Sequence, residues 1–197
     1  MSAHASAIPG YRYGDPSLPP SPLDAAGFAE LRAACLLTDD DVAALREAAP
    51  IVEPQIEEIL DTWYGFVGSH PFLLASFSTP AGPDTSYLGA VRARFGQWIR
   101  DTLRADFGPE WLAYQQEIGR RHASGKNETD AVAGAPEVVP FRFVVALIAP
   151  ITLTMRPFLA RGARDEQQLE RMQAAWFKAV VCSVALWAAP YAKEGWW

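Results

Sequence analysis

Apolar residues return at steps of three and four along most of the chain, with polar residues between them, the rhythm of helices that bury one face. In SPLDAAGFAELRAACL (residues 21–36), Leu23, Phe28, Leu31 and Leu36 fall near one face, and Pro22 stands close to the start, where proline is tolerated. A second start follows at TDDDVAALREAAP, where Thr38 precedes three acidic residues suited to a helix N-terminus. IVEPQIEEILDTWYGFVGSH then repeats Val52, Ile56, Ile59, Leu60, Trp63, Tyr64 and Val67 at helical spacing, over an acidic outer face of Glu53, Glu57, Glu58 and Asp61. Beyond the loop STPAGPDT, Tyr87, Leu88, Val91, Phe95, Trp98, Ile99 and Leu103 mark a long helix whose arginines lie mostly on the other side.

The short element GPEWLAYQQEIGRRH opens with proline and glutamate and puts Trp111, Tyr114, Ile118 and His122 on one stripe. Residues 136–159 are apolar almost all round and rich in Val and Ile, so periodicity alone does not exclude a strand. Length and neighbours favour a helix buried on most sides, with a kink expected at Pro150. A last helix runs from about residue 165 to 189 and carries Leu169, Met172, Trp176, Val180, Val184 and Trp187 inward. There is no internal repeat and no hairpin signal. The pattern predicts an all-α, non-bundle globule of about eight helices.

Residues 1–20, with IPGYRYGDPSLPPSP, are rich in Pro, Gly and Tyr and read as an irregular arm that Tyr11 and Tyr13 dock onto something. At 197 residues and 50% hydrophobic, the remainder, residues 21–197, suits a single domain. A formal charge of -6 leaves no basic face for nucleic acid. The start MSAHASAIPG has no basic residue before Arg12 and no long apolar run, so neither a secretory signal nor a membrane anchor is expected. The apolar region 143–159 is broken by Pro150, Arg156 and Pro157, which argues against a membrane span. Cys35 and Cys182 lie far apart in sequence and form neither a metal pair nor a disulfide framework; free thiols fit a cytoplasmic location.

The chain has no glycine-rich phosphate loop, no G-x-S-x-G elbow, no H-E-x-x-H and no C-x-x-C. Three histidines, at 4, 70 and 122, do not build a zinc site, but one suffices for haem iron because the macrocycle brings four nitrogens of its own. Without C-x-x-C-H, any haem is held non-covalently. His122 ends an apolar stripe, with a carbonyl one turn earlier to fix its tautomer. Spacing alone leaves it open between an iron ligand and a satisfied core histidine. His70, before Pro71, reads as a surface or capping residue, and His4 has no assigned role. In TWYGF, Trp63 and Tyr64 face inward, as do Val91 and Phe95 on the next long helix. That is either a flat apolar slot with one hydroxyl, suited to a haem face, or plain aromatic core.

The strings IPGYRYG, EEILDTWYGFVGSHP, VRARFGQWIRDT, YQQEIGRRH, PITLTMRPFLA and QAAWFKAVVCSVALWAAPY resemble protoglobins, the single-domain haem proteins related to globin-coupled sensors. They run in order from arm to last helix. The resemblance implies a globin-like sandwich with an additional N-terminal helix and arm, a deeply buried haem b (iron protoporphyrin IX), and ligand tunnels. It implies His122 as the proximal iron ligand, with Tyr114 and Ile118 on the same stripe. Tyr64 becomes the distal hydroxyl beside Trp63, Phe95 a distal wall, and Val91 the occupant of the position where many globins place a distal histidine. Leu147 and Ile151 would line the haem cavity, and Arg94 would approach a propionate. Homodimerisation through the last two long helices is a further implication. Ala123 stands where relatives often carry a second histidine, Leu147 replaces a bulkier aromatic and Ala149 a tyrosine, so cavity width and ligand kinetics need not follow the relatives.

Three functions remain in play: binding of O2, CO or NO for sensing, storage or detoxification; haem catalysis on nitrite, NO with O2, or peroxide; and a non-haem helical interaction module in which His122 is packing. The sequence shows no distal His/Arg pair of the kind that assists peroxide cleavage.

Overall fold

The structure, a computed structural model, describes residues 8–193 and 197. His4 and the first part of the arm, residues 1–7, lie outside the described residues. Local chemistry explains where the helices begin. Asp24 caps α1 (Ala25–Ala34) by accepting from the Gly27 amide, and Thr38 and Asp41 close a reciprocal capping box on α2 (Asp39–Val52). Pro50 and Pro54 end α2 in a 3-10 turn, after which α3 (Ile56–Gly68) continues. His70 precedes the short α4 (Pro71–Leu74), with its carbonyl accepting from Leu73 and Leu74 and its Nδ1 2.8 Å from the Phe66 carbonyl. Asp84 caps α5 (Thr85–Arg104), Pro109 opens α6 (Pro109–His122), and Asp165 caps α9 (Glu166–Trp187).

The apolar stretch departs from expectation twice. It is divided into α7 (Phe141–Ala146) and α8 (Ile148–Ala160), with the break at Leu147 rather than a kink at Pro150. Pro150 is the cause, because a proline lacks the N–H that would reach the carbonyl four residues earlier and its ring crowds that carbonyl, here Ala146, the last residue of α7. Nor is the stretch buried on most sides. Phe141, Val145 and Leu153 are exposed, and Phe177 of α9 joins them, so one apolar face is uncovered in the single chain. The loop after α4 also forms a minimal hairpin that the sequence did not signal, Ser78–Thr79 pairing antiparallel with Gly82–Pro83.

Helix α9 is the spine. Helices α2, α6 and α8 pack on it, α5 lies against α2 and α3, and α3 against α8. Leu45, Val52, Leu159, Met172 and Val180 fill the junction with essentially no exposure. Two features set the approach of helices near the site. Gly119 of α6 touches the backbone of α9, where a Cβ would stand 2.9 Å from Trp187 Cα. Cys35, after α1, meets Cys182 of α9 thiol to thiol, so residues remote in sequence become neighbours while remaining free thiols.

The described part of the arm docks by its tyrosines. Tyr11 donates to Asp101 Oδ2 at 2.7 Å, and the rings of Tyr11 and Tyr13 pack edge-on against Tyr114 with centroids 5.2 and 6.0 Å away. Gly10, at φ +73°, turns the arm where a side chain would strike Thr129 and Arg94.

Candidate functional site

Helix α6 carries one apolar stripe, and in the fold that stripe ends in a cavity. His122 closes α6 there, half-buried, with Nδ1 2.8 Å from the carbonyl of Ile118 one turn earlier. Burial lowers its pKa below the ordinary histidine value, so the neutral ring is the stable form. A neutral ring whose Nδ1 donates to Ile118 keeps its lone pair on Nε2. Trp187 stacks on the imidazole at 5.3 Å and 13°, and its indole N–H donates to Gln115 Oε1 at 2.9 Å. The His122 carbonyl is held too: the Val139 amide donates to it at 2.8 Å, and the Tyr191 hydroxyl lies 2.7 Å from both the His122 and Val139 carbonyls.

All ten residues expected at the site line this one cavity: His122, Tyr114 and Ile118 from α6, Trp63 and Tyr64 from α3, Val91, Arg94 and Phe95 from α5, Leu147 between α7 and α8, and Ile151 from α8. The cavity has a volume of about 200 Å³. Its walls are mostly apolar. Trp63, Phe95, Trp98 and Trp187 follow one another across it with centroids 5.5 to 5.6 Å apart. Burial pushes the Tyr64 phenol well above its ordinary value, so it stays protonated and can donate. Arg92 lies over the Tyr64 ring and bridges to Glu57 and Asp61 of α3, joining α5 to α3 above the tyrosine.

Arg94 lines the cavity already engaged by protein groups. Its guanidinium pairs with both oxygens of Asp130, at 3.0 and 2.5 Å, and donates to the arm carbonyl of Pro9 at 2.8 Å. It lines the cavity as part of a closed ion pair. Among the other lining residues, Arg121, Lys126 and Trp187 were not expected at the site. Arg121 and Lys126 flank His122 in RRHASGK, a string that reads as a helix end and a solvated loop. The loop instead folds inward, and Lys126 is only 3% exposed, its ammonium 5.3 Å from the centre of the Tyr87 ring. Burial lowers its pKa below the usual lysine value.

Among the described residues no group of three or more His, Cys, Asp or Glu could hold a metal ion by itself. A metal at His122 therefore needs its remaining ligands from a cofactor.

A sequence model of the Protoglobin family matches residues 24–197. The fold is similar to the globin domain of the Geobacter sulfurreducens globin-coupled sensor, with a TM-score of 0.63 and 15% identity over 84% of this chain and 97% of that one. A comparison with curated proteins gives no match.

Proposed function

The chain belongs to the protoglobin family, a globin-type haem protein that binds gas, and from that premise we propose that His122 is the proximal ligand of a non-covalent haem b lying in the cavity. The residues present fit such a group. One imidazole in the cavity has its tautomer set by Ile118, so Nε2 would offer iron its lone pair. The walls are apolar and aromatic, as a flat macrocycle requires, and Arg121 Nη2 is a buried donor with no partner among the described residues, as the ligand's acidic edge requires. The observation that carries the proposal is the first: a histidine held at ring, flank and carbonyl, lining a mostly apolar cavity.

A bound haem supplies an open iron position for a diatomic gas; O2, CO and NO are the ligands we assign to it. The chain's residues do the rest. His122 would hold the iron, and Trp187, Gln115 and Tyr191 fix the orientation of the ring and its backbone. Val91 offers no hydrogen bond, which leaves the Tyr64 hydroxyl as the donor toward a gas molecule on the other side. Trp63, Phe95, Leu147 and Ile151 exclude water around that donor. Sensing, storage and detoxification all use this arrangement; the absence of any described second histidine in the cavity favours gas binding over peroxide chemistry.

We further assign the uncovered face of Phe141, Val145, Leu153 and Phe177 to a homodimer contact, supported by its apolar character and by the family resemblance. Free Cys35 and Cys182 support a cytoplasmic location.

Absorption spectra of the purified chain with added haem test the central assignment. A Soret band that moves with CO is expected, and His122→Ala should lose most haem retention while keeping its helicity. A wild-type chain that stays colourless after supplementation, or an H122A variant with unchanged spectra and retention, sinks it.

A further inference from the structure

Three cations and one carboxylate line the cavity: Arg94, Arg121 and Lys126 against Asp130. Their partners are unequally distributed. Arg94 pairs with both oxygens of Asp130, the one lining carboxylate, and donates to Pro9. Arg121 sends Nε to Glu117 at 2.8 Å and Nη1 to the arm carbonyl of Gly10 at 2.6 Å, but Nη2 is buried with no partner among the described residues. Glu117 has nothing to spare, because Arg120 takes both its oxygens as well. Lys126 is almost wholly buried and makes one long hydrogen bond, 3.3 Å to Asn127 Oδ1.

Two buried cations with unused donors are unfavourable unless something anionic meets them. The two donors left over, Arg121 Nη2 and Lys126 Nζ, in a mostly apolar cavity, match a flat apolar ligand with two carboxylates at one edge. We propose that Arg121 Nη2 and Lys126 Nζ are the carboxylate-binding donors of this cavity, taking the two acidic side chains of a dicarboxylate tetrapyrrole. This rests on the haem reading and sharpens it, since it moves the role from Arg94, which the sequence pointed to, onto two residues beside the iron ligand.

The arm then has a defined relation to the ligand. Pro9 and Gly10 place their carbonyls on Arg94 and Arg121, so the arm closes on the same cations from outside and leaves the inward donors to the carboxylates.

The test separates carboxylates from iron by using metal-free protoporphyrin IX and its dimethyl ester, each titrated into the full apo chain by tryptophan quenching. Wild type should prefer the diacid by about tenfold or more, the scale of a buried charge-assisted hydrogen bond. Lys126→Met and Arg121→Gln should each cut that preference several-fold while leaving diester affinity near wild type, and Arg94→Gln should cut it less. Circular dichroism checks folding; if Arg121→Gln does not fold, Lys126→Met and Arg121→Lys carry the comparison. An unchanged diacid preference in the variants, or equal weakening of both porphyrins, overturns the assignment even if haem binds normally at His122. Failure of wild type to bind either porphyrin overturns the haem reading, and this assignment with it.

Discussion

Replacing Gly119 with alanine sets two effects of opposite sign against each other. Alanine in place of glycine inside a helix gains roughly 0.8–1 kcal/mol of helix propensity. The new methyl, however, would stand 2.9 Å from Trp187 Cα, 3.1 Å from its carbonyl oxygen and 3.3 Å from its carbonyl carbon. Those are backbone atoms of α9, which cannot rotate aside as a side-chain tip can, and carbon–carbon contacts want about 3.5–4.0 Å. Helices α6 and α9 must therefore separate by about half an ångström or more, and overpacking of this kind costs about 1–3 kcal/mol. The clash wins, leaving a net loss of about 1–2 kcal/mol. Gly89, exposed within α5, is the control: a methyl there would meet nothing within 4 Å, and Gly89→Ala should gain about 0.5–1 kcal/mol. Urea denaturation reads both as shifts of midpoint at constant slope. For a chain of 197 residues the thermal midpoints should part by several degrees, at about 2–4 °C per kcal/mol. Gly119→Ala should also loosen the 5.3 Å stack of Trp187 on His122 and weaken haem uptake. Stabilisation of Gly119→Ala to the same degree as Gly89→Ala, with unchanged uptake, refutes the reasoning.

Tyr64→Phe removes the distal donor with little change of volume, so O2 should leave roughly tenfold faster by flash photolysis or stopped flow while CO changes less. Asp41 gives a pH test. Burial alone would raise its carboxyl, but Lys178 and Thr38 outweigh that and hold it below the usual range, so its contribution is present above about pH 4 and fades as pH falls through the depressed value. Asp41→Asn should therefore lose about 1.5–3 kcal/mol at pH 7 by denaturation, with the gap to wild type closing as the pH falls below about 4. The hydrogen bond from Cys182 lowers the Cys35 thiol to about 7, so Cys35 should alkylate first, with a rate that rises through neutral pH, and Cys182 should remain protected.

Features that depend on a few neighbouring residues were legible in the sequence. The start of α2 at Thr38 and the stripe that aims His122 inward both come from spacing within one element. The resemblance then joined that stripe to Tyr64, Val91, Phe95, Leu147 and Ile151, and the fold brings them to one cavity. What the sequence concealed depends on how distant parts close on one another. A stretch that is apolar all round carries no periodicity to show which face stays uncovered, so the exposure of Leu153 could not be read. Pro150 was recognised as a disturbance, but its effect falls one turn earlier, at the carbonyl it disables. Lys126 in a Ser-Gly-Lys-Asn turn looks solvated, and only the inward fold of that loop against Tyr87 buries it. Gly119 gave no sign of its role because the surface it touches is a backbone contributed by α9.

The hydroxyl of Tyr191 on the His122 carbonyl has a consequence in time. The two residues are 69 positions apart, and Trp187, which flanks the ring, arrives only shortly before Tyr191. At ~5–20 residues per second of synthesis, His122 exists for roughly 3–14 seconds before its clamp has been made. During that interval α6 has neither the aromatic lid on its last imidazole nor the lock on its last carbonyl. A cofactor arriving in that interval would meet a histidine held by Ile118 alone.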